Sequence, residues 1–378
     1  MRPDYAGGSL VNLVATLVAA RGGKALHEPL RDFALDARVR NVVLLIIDGL
    51  GDNYLARHGA GSELARRRRR ALTSVFPSTT ASAITTSYTG RTPLEHGLTG
   101  WFVYFGAAGC VSAALPYRSR GDMASLAARG VDAEHIYDVP ALFCSLAVKS
   151  IVVTYREIVD SQYNRVFCRG AERLAYANAE EFVAQLERAV KSGPERKFIY
   201  AYWPHYDAVA HRHGCEGVEA QKQFAIIDAA FGEVLKRLAG SETTIVATAD
   251  HGFIDVAPDE SLELPPELAP FLRFPLCGER RIAYCHVHAP REFIERARDW
   301  LGDRADVMPS ERLVQEGWLG PGERHPRLVE RIGDVALMMR GRYTVKDWTP
   351  GEPRWLHIGN HGGTHDDEMM IPLIVENA

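Results

Sequence analysis

The chain has 378 residues, 46% of them hydrophobic and 24% charged, enough for one large α/β domain or two medium ones around a substantial core. Its formal net charge of −4 is close to balanced, so bulk electrostatics point neither to nucleic acid nor to an anionic membrane. No apolar run approaches the ~18 residues of a membrane helix, and the six cysteines, none in a Cys-x-x-Cys pair, read as buried or free thiols.

In chain order, Ser9 to Ala20 reads as an amphipathic first helix with Ser9 as its N-cap. Asp4 and a single Arg2 before it do not make the basic start of a signal peptide, so the cytoplasm is the expected location. Val42 to Ile47 is a continuous aliphatic run ending at Asp48-Gly49, and Ile151–Thr154, Phe198–Trp203, Thr244–Ala249 and Ile371–Val375 look similar. Runs without alternation suit strands buried on both faces of a sheet covered by helices. The five arginines Arg66 to Arg70 read as a solvated helix face. Ala179 to Lys191, preceded by Asn178, and Val218 to Leu238 carry apolar residues at helical spacing. The alternation predicts a three-layer α/β/α sandwich around a central mixed, mostly parallel sheet. Residues 256–352 are rich in proline and are expected to form a smaller inserted cap lobe, with 1–255 and 353–378 as the core.

Chemistry-bearing residues sit directly after the apolar runs. The carboxyl ends of parallel strands line a common crevice, so residues placed there converge. Asp48 follows six aliphatic residues, and a buried carboxylate there must cap a helix or bind a cation. Phe76-Pro77-Ser78-Thr79-Thr80 places hydroxyls at the start of a helix, where a cap is the common use and a phosphate is also welcome. Asp207 and His211 are four residues apart, on one face of a helical turn, with His205 and His213 nearby. Asp250-His251-Gly252 ends another strand, and the glycine permits a sharp turn that lets both side chains face one ion. His357, Asn360, His361 and His365 lie in a glycine-rich loop before the last strand.

Taken in order, these motifs resemble the alkaline phosphatase superfamily and, within it, the type I phosphodiesterase/nucleotide pyrophosphatase family. The resemblance is carried by Asp48, by Thr80 nine residues before Thr89-Gly90, by Pro93 to Gly97, by Asp207 with His211, by Asp250-His251-Gly252 and by His361-Gly362. It implies an alkaline-phosphatase-like core and a two-metal hydrolase with Thr80 as nucleophile, forming a phospho-threonine intermediate. Asp207, His211 and His361 would hold one zinc. Asp48, Asp250 and His251 would hold a second, with the Thr80 oxygen as a further ligand. Carboxylate and imidazole suit Zn²⁺, and other divalent metals are alternatives. His96, in Pro-Leu-Glu-His-Gly, is expected to be structural.

The expected substrate is a small phosphoester, most simply a phosphodiester or nucleotide pyrophosphate. A phosphomonoesterase and a phosphonate hydrolase share the scaffold, and a non-catalytic metal- or phosphoester-binding protein is the alternative from another class. The chain departs from the family pattern in two places. Ala83 replaces an asparagine that donates to the phosphoryl oxygen, leaving a backbone N–H or Ser82 for that task. His205-Tyr206-Asp207 replaces Glu-Pro-Asp.

Overall fold

The central sheet grows from Asn41–Ile47, whose seven residues are all buried. The structure, a computed structural model, describes residues 1–36, 38–352 and 354–378. Asn41–Ile47 pairs in parallel with Lys197–Trp203 on one side and Thr243–Thr248 on the other. The full order is Arg68–Thr73, Met370–Asn377, Thr243–Thr248, Asn41–Ile47, Lys197–Trp203, Lys149–Tyr155, Ala171–Tyr176. Only Met370–Asn377 runs against the others, so the sheet is mixed and mostly parallel, as expected.

Helices cover it in two groups that pack among themselves, Leu10–Ala20 with Thr80–Thr89, and Ala179–Lys191 and His205–His213 with Val218–Leu238. Ala179–Lys191 shows how local sequence builds a layer. The Asn178 side chain accepts from Glu181 N at 2.9 Å, Glu180 and Glu181 fill the first turn, and Arg188 and Lys191 the last. Its inner face buries Phe182, Val183, Leu186 and Val190, each burial contributing roughly 1.5–3 kcal/mol.

The arginine run departs from its helical reading. Arg66 ends the short helix Glu63–Arg66, whereas Arg68 to Arg70 open the edge strand Arg68–Thr73. Exposed arginines there discourage pairing with another chain at an otherwise open edge. Arg66, Arg67 and Arg68 are paired with Glu63, Glu63 and Asp52.

A second, antiparallel sheet, which with its helices is called the lobe, has the order Ala305–Pro309, Val335–Met339, Ile282–Cys285, Cys277–Gly278, Phe102–Phe105, Cys110–Ala113, Arg118–Ser119. Its last three strands come from residues before 256, outside the 256–352 segment that composition singles out. No disulfide joins the cysteines, and no helix among the described residues is long and apolar enough to cross a membrane.

Candidate metal and phosphoryl-transfer site

Register puts the chemistry in one place. Ile47 lies opposite Trp203 and Ile46 opposite Thr248, so three adjacent parallel strands end level with one another. Asp48, the helix His205–His213 and Asp250-His251 all follow these ends. The Asp48 N–H donates to Trp203 O at 2.9 Å, and Asp250 Oδ1 accepts from Gly49 N and His251 N, each at 3.0 Å. A two-residue bridge, Ile254 opposite Asn360, then brings the His361 loop alongside.

The six Asp and His side chains separate into two groups, Asp207 with His211 and His361, and Asp48 with Asp250 and His251. In each group one donor atom per residue lies within 4.8 Å of the others. The second group is buried and the first opens to a cavity of about 440 Å³ that Thr80 also lines.

Hydrogen bonding decides which atoms face inward. His211 Nδ1 lies 2.9 Å from Gly359 O, His361 Nδ1 3.3 Å from Ser78 O and His251 Nδ1 3.0 Å from Gly252 O. A carbonyl only accepts, so each Nδ1 carries the hydrogen and each Nε2 presents a lone pair. Burial pushes His211 down to about 3 and, with help from His251 and His211, holds His361 well below the ordinary range, so both rings are neutral. The Nε2 atoms of His211 and His361 then face each other across 3.2 Å with no hydrogen between them. Asp207 Oδ1 lies 3.4 Å from the first and 3.6 Å from the second, and it is buried without a hydrogen-bond donor, as is Asp250 Oδ2. Converging lone pairs and orphaned carboxylate oxygens are costly unless a cation sits among them. Asp48 shows the same strain, held well above the usual carboxylate range by burial and then by the Asp250 and Asp207 charges. The donor sets therefore fit two divalent cations.

Thr80 is the first residue of the helix Thr80–Thr89, which ends at Gly90 with φ +68°. Its Oγ1 lies 3.1 Å from His251 Nε2 and 3.4 Å from Asp48 Oδ1. The neighbouring hydroxyls are engaged elsewhere: Ser78 donates to Gly363 O at 2.8 Å, Thr79 to Glu279 at 2.6 Å and Ser82 to Leu98 O at 2.9 Å. Ser82 is thus not free to replace the donor missing at Ala83.

Other expectations fall differently. His96 is buried, with Nε2 3.2 Å from Thr86 Oγ1 and Nδ1 accepting from Leu98 N, in the structural position expected. His205 packs edge-on against Tyr155, His213 is exposed, and His365 caps the helix Asp366–Met369. Gly252 serves by close approach rather than by a left-handed turn, since a Cβ there would lie 2.0 Å from Asp367 O.

Three contributions were not anticipated. Tyr202, inside an apolar strand, donates its hydroxyl to Asp48 Oδ2. Glu279 accepts from Thr79 and from Trp101 N at 2.7 Å. Glu368 accepts from Gly363 N at 2.8 Å and holds the loop of His361. The one available signal was Glu279-Arg280-Arg281 after a glycine, a charged turn inside an otherwise apolar stretch.

The family model for type I phosphodiesterase/nucleotide pyrophosphatase matches residues 42–364. The chain belongs to this family. It is a family of hydrolytic enzymes within the alkaline phosphatase superfamily, and solved structures share its fold. Murine ectonucleotide pyrophosphatase/phosphodiesterase 5 is 15% identical, with 89% of this chain and 88% of that one covered and a TM-score of 0.65. The human protein of the same name is 15% identical over 89% and 87%, also at 0.65. Phosphonoacetate hydrolase from Sinorhizobium meliloti, in complex with phosphonoformate, is 17% identical over 89% and 90%, at 0.65. No curated protein matches this family member in sequence.

Proposed function

We propose that the protein hydrolyses small phosphoesters by transferring the phosphoryl group to Thr80 and then to water, with two divalent cations, zinc by the character of the donors, held by the two groups of side chains. The observation that carries the reading is the Thr80 hydroxyl itself, which among its neighbours faces Asp48 and His251. Asp207, His211 and His361 would hold one cation, and Asp48, Asp250 and His251 the other, beside Thr80 Oγ1. When bound, the cations would favour ionisation of the hydroxyl and offset the charge of the transferring group.

The chain's own groups supply the rest. Thr80 Oγ1 forms a bond to phosphorus as the bond to the leaving oxygen breaks, and water later cleaves the phospho-threonine and restores the hydroxyl. Thr79 supports this step indirectly. Its hydroxyl turns away to Glu279 and does not cap the helix, so first-turn N–H groups stay available for a phosphoryl oxygen. This supports a backbone donor in place of the side chain missing at Ala83.

Phosphodiesters and pyrophosphates are the class suggested by the family. A structural neighbour, murine ectonucleotide pyrophosphatase/phosphodiesterase 5, has been solved in an inactive form with AMP. Assays of metal-loaded protein on bis-p-nitrophenyl phosphate and p-nitrophenyl phosphate test the reading. Thr80→Ala should abolish turnover of both and Thr79→Ala should not; the opposite pattern sinks the assignment.

A further inference from the structure

The turn between Cys277–Gly278 and Ile282–Cys285 reaches from the lobe to the core. It is closed by Glu279 N donating to Ile282 O at 2.7 Å, with Gly278 at φ +85°. Its three side chains, all ionisable, have different fates. Glu279 is anchored through Oε1 to Thr79 and Trp101. Arg281 is buried against Glu368, with Nη2 3.0 Å from Oε2. Arg280 lies between them and lines the cavity above Thr80. Its one hydrogen bond among the described residues runs to Trp355 O at 3.0 Å, which leaves most of its five donors unpartnered.

A second cation, Lys346, lines the same wall. The acids beside it are largely engaged by a third. Arg120 meets Asp347 at 2.8 Å and Glu352 at 3.1 Å and also binds the carbonyls of Leu276 and Asp347. Lys346 has a 3.3 Å pairing with Glu352 and lies 4.1 Å over the Trp348 ring. Glu279 faces Arg280 with only part of a negative charge at neutral pH, because burial pushes it up to about 7. Lys346 registers the crowding of positive charge: burial, and after it the neighbouring Arg280, bring it down to about 8. Two cations held together in a half-buried cleft with spare donors are unfavourable alone and favourable around an anion.

We propose that Arg280 and Lys346 form an anion subsite facing Thr80, so that the preferred substrates carry a second anionic group, carboxylate or phosphate, beside the phosphorus that Thr80 attacks. The inference rests on the reading of Thr80 as nucleophile and names the substrate class of that site. Arg280 supplies a planar fork suited to either oxyanion, and Lys346 a point charge.

The test compares metal-loaded wild type, Arg280→Gln, Arg280→Lys and Lys346→Met on three substrates. Bis-p-nitrophenyl phosphate carries no second anion, 2-phosphoglycolate carries a carboxylate on its leaving oxygen's side and inorganic pyrophosphate a phosphate. Arg280→Gln and Lys346→Met should each lower the kcat/KM ratio of the preferred anionic substrate to bis-p-nitrophenyl phosphate by at least about tenfold, chiefly through KM. Arg280→Lys should recover part of the loss. Whichever anionic substrate loses more identifies the group bound. A ratio unmoved in both variants overturns the subsite while leaving Thr80-dependent diester hydrolysis intact. Activity retained in Thr80→Ala instead sinks the underlying reading.

Discussion

Arg281 and Glu368, 87 residues apart, meet in a buried ion pair, Arg281 Nε lying 3.1 Å from Glu368 Oε1. One side chain belongs to the lobe and the other to the core, and their exposures are 1% and 0%. Glu368 also accepts from Gly363 N and His365 N, so the pair ties the lobe to the loop that presents His361.

Arg281→Met should therefore cost about 3–5 kcal/mol, because it leaves a buried carboxylate without its cation. Chemical denaturation measures the loss. The double variant Arg281→Met/Glu368→Gln should recover part of it, and a double variant less stable than the single would contradict the pairing.

Metal stoichiometry tests the proposed roles of the two groups of Asp and His side chains. Wild type should bind two divalent cations, and Asp250→Asn or His361→Ala only one with high affinity. Turnover should fall about a thousandfold in each, the equivalent of several kcal/mol of lost charge stabilisation. Elemental analysis after dialysis reads this directly, and two tightly held ions in either variant would argue against the division.

Tyr202 orients Asp48 from inside the sheet. Tyr202→Phe keeps the ring and removes the donor, so the affinity for one cation should drop about 10–100-fold with the other little changed. Isothermal titration with zinc checks this, and two equal drops would assign the hydroxyl a general structural part.

The convergence of the strand-end Asp and His side chains was legible because uninterrupted apolar runs end at Asp48 and Asp250, and because Asp207 and His211 fall on one helical face. Those signals are local. Tyr202 was hidden, since within Phe198–Trp203 an aromatic residue reads as core. Arg281 and Glu368 were hidden for another reason: only the folded chain brings the lobe turn against the last helix. Arg68 to Arg70 misled because charge implies exposure, and an edge strand is exposed as a helix face is. Ile282–His288 and Val335–Arg340 read as strands in the sequence, but the part of Phe102–Ser119 in the same sheet was hidden because it joins strands more than 150 residues later.

The anion subsite carries a pH signature. Lys346 is brought down to about 8, by burial first and Arg280 second, so its positive charge is lost as pH rises through that value. Arg280, brought down by burial only to about 10, keeps its charge through this range, and Glu279, pushed up to about 7, completes its ionisation at the lower end of it and adds to the same fall. In the free enzyme, kcat/KM for the anionic substrate should fall between about pH 7 and 9, relative to bis-p-nitrophenyl phosphate. Lys346→Arg should shift the fall to higher pH, because a guanidinium stays protonated. An identical profile in the variant would place the titration elsewhere.

The most direct test of the central claim is to trap the enzyme during turnover. Metal-loaded protein quenched in acid with substrate present should yield one phosphorylated peptide, with the phosphoryl group on Thr80, and Thr80→Ala should yield none. A phosphoryl group on Ser78 or Thr79, or full turnover by Thr80→Ala, would contradict the account.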